Sequence, residues 1–189
     1  VGSEMCIRDR PSRGLRLIDS TSERRLPKNW AGQRVLLNFG AVDWEAIVWV
    51  NGQKVGEHTG GYDPFSFDIT GALKRSAKEQ EIVVSVWDPT DEGTQPRGKQ
   101  VNKPRGIWYT PVTGIWQTVW LEAVPLNYIK SLHMVPDIDH NELVIKVTSG
   151  GTDKGAVKIS VPELKLEQRG KSGEVLKLQL ADYELWLSL

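Results

Sequence analysis

The chain has 189 residues, 39% apolar and 25% charged, with 24 basic and 24 acidic side chains. A chain of that length buries roughly 70% of its unfolded surface, enough for one large or two small domains. Balanced charge offers no electrostatic footprint for nucleic acid or an anionic membrane, and apolar runs such as Ala46 to Val50 fall far short of the roughly 20 residues of a membrane-spanning helix.

Val1 to Arg10 lacks both an apolar signal-like stretch and an initiating methionine; it reads as a linker scar and is set apart from the fold. Cys6, the single cysteine, lies in it. No intrachain disulfide can form, and the compartment is left open, with a periplasmic or secreted location the preferred expectation. Pro11 to Trp30, rich in Arg and Ser, is weakly patterned. From Gln33 the apolar period is two: Val35, Leu37 and Phe39 form one inward row, and Trp44, Ala46, Val48 and Val50 the next. Asn51-Gly52 predicts a type I′ hairpin turn that sets Val50 opposite Gln53. Phe65, Phe67 and Ile69 mark another strand, Thr70 to Arg75 a single helical turn, and Ile82, Val84 and Val86 a further strand.

Asp88 to Thr113 breaks the pattern with Pro89, Pro96, Pro104 and Pro111 and must run as a long loop. Gly114 restarts the alternation, which predicts one strand to near Pro125 with Trp116, Thr118 and Trp120 on one face. Strands are then expected over 128–135, 142–148, 155–161 and 175–180. Helical periodicity is nearly absent, so the expectation is all-β in two antiparallel units meeting at 124–127, with both chain ends truncated.

Three stretches in this order resemble the sugar-binding jelly-roll domain of glycoside hydrolase family 2, the group of β-galactosidases, β-glucuronidases and β-mannosidases. They are Arg34 to Gly56 (RVLLNFGAVDWEAIVWVNGQKVG), Gly60 to Thr70 (GGYDPFSFDIT) and Gly114 to Glu122 (GIWQTVWLE). The run from Tyr128, YIKSLHMVPDIDHNELVIKV, is similar to the opening of the family's immunoglobulin-like domain. The resemblance implies an all-β fold. A galactose-binding-like jelly-roll β-sandwich would cover 11–125, without its N-terminal part, and a partial immunoglobulin-like β-sandwich would cover 126–189. It further implies the non-catalytic front end of a retaining β-glycosidase, with a β-glycoside and the missing catalytic barrel as partners, no cofactor, and neither nucleic acid nor membrane. Two other readings stay open: a freestanding carbohydrate-binding module and a structural tandem β-sandwich.

No catalytic residue is expected within the chain. Asn141-Glu142 matches the dipeptide of the family's acid/base but falls in a turn. Aligning on Gly114-Ile115 places Trp108 where related enzymes carry an aspartate that contacts the sugar. An aromatic wall of Trp108 and Tyr109 is therefore expected in place of carboxylate recognition. Trp44 is expected in the core, Trp116 and Trp120 in interdomain packing, and His58 in a surface loop. His133, Asp137, Asp139 and His140 match no closed zinc site, so no metal is expected.

Overall fold

The computed structural model describes the backbone of residues 15–17 and residues 26–74, 76–77, 79–151 and 155–180. The expectations for residues 1–10, for Cys6 and for most of 11–30 lie outside them. The strands are β1 (Leu15–Leu17), β2 (Arg34–Phe39), β3 (Val42–Asp43), β4 (Glu45–Val50), β5 (Gln53–Thr59), β6 (Phe65–Asp68), β7 (Ile82–Trp87), β8 (Gly114–Ile115), β9 (Val119–Val124), β10 (Tyr128–Asp137), β11 (Glu142–Gly150), β12 (Ala156–Val161), β13 (Leu166–Lys171) and β14 (Val175–Gln179). Two short 3-10 turns, Lys28–Trp30 and Pro162–Leu164, complete the regular structure of the described residues. The chain divides into two compact units between Ala123 and Val124.

The first unit is a β-sandwich. One sheet has the order β1-β7-β4-β5, the other β6-β2-β9, and the short pair β3-β8 lies between them in the chain's course. Alternate residues of β4 and β7 turn Ala46, Val48, Val50, Val84 and Val86 inward against Val35, Leu37 and Phe39 of β2 and against Ile69. Phe65 stacks on Phe39 at 4.7 Å between centroids, extending the core to one edge. The predicted hairpin is present: Val50 pairs with Gln53, and Asn51 and Gly52 take φ of 51° and 83°. Asn51 also ties the hairpin to the next connection. Its amide donates to the Ala72 carbonyl (2.8 Å) and Gln80 Oε1 (2.7 Å), and its Oδ1 accepts from the Glu81 N–H (3.0 Å).

Several expectations change. Trp44 is half-buried and belongs to no strand, because the chain switches partners there, from β8 beside β3 to β5 and β7 beside β4. That switch resets the period of two at position 44. The Asp43–Trp44 peptide is cis. Residues 70–72 form a turn closed by the Ala72 N–H on the Ile69 carbonyl rather than a helical turn. The single strand expected from Gly114 is two. β8 pairs with β3 and β9 joins β2, so Trp116 sits in the gap, off any strand face.

The second unit packs the sheet β10-β11-β14 against the hairpin β12-β13. Ile145, Val147 and Leu178 face Val157, Ile159, Val161 and Leu166. β13 (LEQRGK) is a strand that the alternation did not predict.

Candidate functional site

Where β3 and β8 meet, the first unit opens into a pocket of about 310 Å³ lined by Asp43, Tyr62, Gln100, Val112, Thr113, Gly114, Ile115 and Trp116. Backbone pairing builds its floor. Asp43 lies opposite Gly114, Val42 opposite Ile115, and the Trp116 N–H donates to the Ala41 carbonyl. The indole of Trp116 reaches across to donate its N–H to the Gly61 carbonyl at 2.7 Å. Tyr62 meets the same indole edge-on, 5.9 Å between centroids, and both rings are about half exposed (54% and 50%). Gly61 is buried, and a Cβ there would stand 2.7 Å from Asp43 Oδ1, so only glycine lets the Gly60-Gly61 turn pass this close to the carboxylate.

The Asp43 side chain makes no hydrogen bond to any described residue. Partial burial, and then the neighbouring Asp88 charge, push its pKa up from 3.8 to about 6. Asp88 is held in place: its carboxylate accepts from the Thr90 N–H (2.7 Å) and the Thr113 hydroxyl (3.0 Å). Thr113 thereby links Asp88 to the pocket wall.

The Asp88–Thr113 loop is tied to itself rather than loose. Asp91 Oδ1 accepts from the Asn102 side-chain amide (2.5 Å), Gln95 donates to the Thr90 carbonyl (2.9 Å) and Arg97 to the Asp91 carbonyl (3.0 Å). Gln100 pairs with Tyr109 in an isolated parallel bridge, and its side-chain oxygen accepts from the Val112 N–H. This bond presents Gln100 at the pocket rim.

Trp108 and Tyr109, the residues singled out in the sequence, sit on this loop but do not line the pocket. Each has a cation over one ring face, Arg97 over Trp108 and Lys99 over Tyr109, both 5.9 Å from the centroid. Trp108 is 38% and Tyr109 63% exposed. Asp43, Tyr62, Gln100 and Thr113 were not singled out. The signal available for Asp43 was its place at a break in the alternation, ahead of a Gly-Gly pair that permits close backbone approach.

Other candidates separate from this pocket. His58 lies on β5, not in a loop, with its ring stacked on Phe65 at 4.1 Å and its Nε2 buried without a partner. Asn141 occupies a turn with φ 54°, and Glu142 is ion-paired to Lys177 at 2.6 Å. Asp137 is engaged by the His140 ring at 2.9 Å, and the described residues contain no cluster of metal-ligating side chains. A larger hollow, about 410 Å³, lies on the second unit around Val135, Val144, Lys146 and Val175. It is the outer face of a three-stranded sheet, without Trp or Tyr, and His133 is the one aromatic ring among its lining residues.

Residues 20–125 match the family model for the sugar binding domain of glycosyl hydrolases family 2. A β-galactosidase of Thermoanaerobacter pseudethanolicus is 35% identical, aligned over 60% of this chain and 14% of that protein. A β-glucuronidase of Canis lupus familiaris is 26% identical over 87% of this chain and 28% of its own length. Among solved structures, a putative β-galactosidase from Bacteroides fragilis superposes with a TM-score of 0.59 at 22% identity, over 82% of this chain and 26% of that one. A β-glucuronidase from Ruminococcus gnavus in complex with D-glucuronic acid gives 0.58 at 24%, over 85% and 30%. The chain thus spans less than a third of these proteins. The pocket residues all fall inside the matched segment, and the chain belongs to glycosyl hydrolases family 2 through its sugar binding domain.

Proposed function

We propose that this chain is the sugar-recognition part of a β-glycosidase and that the pocket between Asp43 and Trp116 receives a glycosyl unit of the substrate. The observation that carries the reading is the pocket's chemistry. Two half-exposed aromatic rings, a free carboxylate, an amide and a hydroxyl converge on about 310 Å³, the small end of the range for ligand sites. Aromatic faces stack on the C–H faces of a pyranose, while a carboxylate accepts hydrogen bonds from its hydroxyls. The names of the relatives, β-galactosidase and β-glucuronidase, support a β-glycoside as the ligand class.

Hydrolysis itself is assigned to residues beyond this chain. A retaining glycosidase needs two carboxylates about 5 to 5.5 Å apart on either side of the scissile bond, one of them a nucleophile. Asp43 has the raised pKa of an acid, but Asp88 has both oxygens occupied by Thr90 and Thr113 and does not line the pocket. Glu142 is committed to Lys177. The test is a titration of the 189-residue chain with a methyl β-glycoside alongside an assay with a nitrophenyl β-glycoside. Binding in the millimolar range, worth about 4 kcal/mol, without turnover supports the proposal. Turnover by the chain alone, abolished by Asp43→Asn, would replace it with a catalytic role.

A further inference from the structure

We propose that the pocket selects ligand hydroxyls that donate hydrogen bonds, and that Asp88, which does not itself line the pocket, sets this polarity by holding the proton of Thr113. The proposal rests on the sugar-binding reading above and adds to it which side of each hydrogen bond the ligand must supply. Asp88 is a positioning residue, acting through the Thr113 side chain.

Most polar side chains of the pocket wall have part of their capacity already spent. The Thr113 hydroxyl gives its only proton to Asp88 Oδ2 over 3.0 Å. A carboxylate accepts and never donates, so the direction of this bond is fixed and what Thr113 has left to offer is lone pairs. Gln100 Oε1 accepts from the Val112 N–H (2.5 Å), which leaves its NH2 group as the part free for a ligand. The indole N–H of Trp116 is taken by the Gly61 carbonyl. Asp43, ionised above about pH 6, only accepts. The wall therefore presents two acceptors, Asp43 and Thr113, against the amide donor of Gln100, with a Tyr62 hydroxyl that turns either way.

Asp88 is anchored from the other side. Its Oδ1 accepts from the N–H of Thr90 (2.7 Å), a buried residue, and the Thr90 hydroxyl lies 3.4 Å from Oδ2. The backbone donor dictates how an amide would sit here. In Asp88→Asn the side-chain oxygen stays on the Thr90 N–H and the NH2 group takes the place of Oδ2. It then donates to Thr113 Oγ, and the Thr113 proton is released towards the pocket. Exchanging one atom outside the pocket thus turns an acceptor in its wall into a donor.

The experiment is ligand-observed NMR near pH 8, where Asp43 is ionised, with methyl β-D-galactopyranoside and its monodeoxyfluoro analogues as probes. A carbon-bound fluorine never donates and accepts only weakly. Each probe is titrated into the 189-residue chain, Asp88→Asn and Thr113→Val, with circular dichroism confirming that the variants are folded. On the native chain, replacing the hydroxyl that faces Thr113 by fluorine should weaken binding about fivefold or more. That position is identified as the one whose penalty disappears in Thr113→Val. In Asp88→Asn the same penalty should shrink to within about twofold while the penalties at the other positions remain. If Asp88→Asn keeps the full penalty, or weakens every probe alike, Asp88 serves only the loop, and the polarity claim is overturned while the sugar site stands. The claim is overturned equally if no penalty disappears in Thr113→Val. If the parent glycoside does not bind the native chain, the sugar-site reading itself fails.

Discussion

The indole N–H of Trp116 donates to the carbonyl of Gly61 over 2.7 Å, joining two parts of the chain that are 55 positions apart. Gly61 is also the residue whose missing side chain leaves room for the Asp43 carboxylate. One glycine therefore sets both the aromatic wall and the carboxylate of the pocket.

Gly61→Ala tests that dual role. Its new Cβ would meet Asp43 Oδ1 at 2.7 Å, closer than nonbonded atoms approach, so the carboxylate must swing away. Expected is a loss of sugar affinity of about tenfold with a stability change under about 1.5 kcal/mol, since the displaced atom ends a side chain that can rotate. Isothermal calorimetry and urea unfolding measure the two quantities. A large stability loss with unchanged affinity would mean that the turn matters only to the fold.

Asp43→Asn is expected to stabilise the chain at neutral pH. The folded carboxyl has a pKa of about 6 against 3.8 ordinarily, so between these values the folded state holds more protons than the unfolded one and stability falls as pH rises. At full strength the shift corresponds to about 3 kcal/mol, and solvent screening of this partly buried group reduces it to about 1 kcal/mol. Asn carries no charge. The variant should therefore melt higher above pH 6, and the difference should vanish towards pH 4, below which both states hold the proton. A variant that melts lower at neutral pH would show that the carboxylate stabilises the fold.

Asn51→Ala is expected to cost about 2 to 3 kcal/mol, through the lost amide bonds to Ala72 and Gln80 and the positive φ that alanine disfavours. Asn51→Gly, which accepts the positive φ, should recover about 1 kcal/mol of that loss. Equal losses in both variants by urea unfolding would assign the whole effect to the hydrogen bonds.

Period-two alternation made the sandwich legible wherever a strand keeps one set of partners, as in β2, β4 and β7. It failed where the chain changes partners. Trp44 and Trp116 sit at two such changes, and both were read as members of uninterrupted strands. β13 was invisible because Leu166 is the one large apolar side chain among its six residues, so no apolar row appears in LEQRGK. The site was half legible for the same reason. Proline and glycine density picked out the Asp88–Thr113 loop, but which rings face the pocket depends on pairings such as β3 with β8 that join residues about seventy apart.

The most direct test is an ¹⁵N–¹H correlation spectrum of the indole region, where the eight tryptophans of the chain each give a resonance. Trp116 is assigned by its disappearance in Trp116→Phe. On titration with methyl β-D-galactopyranoside the Trp116 indole peak should move in a saturable way while those of Trp87 and Trp120, exposed on strands outside the pocket, stay in place. Movement confined to Trp87 or Trp120, with Trp116 unaffected, would put the sugar elsewhere on the domain and contradict the account.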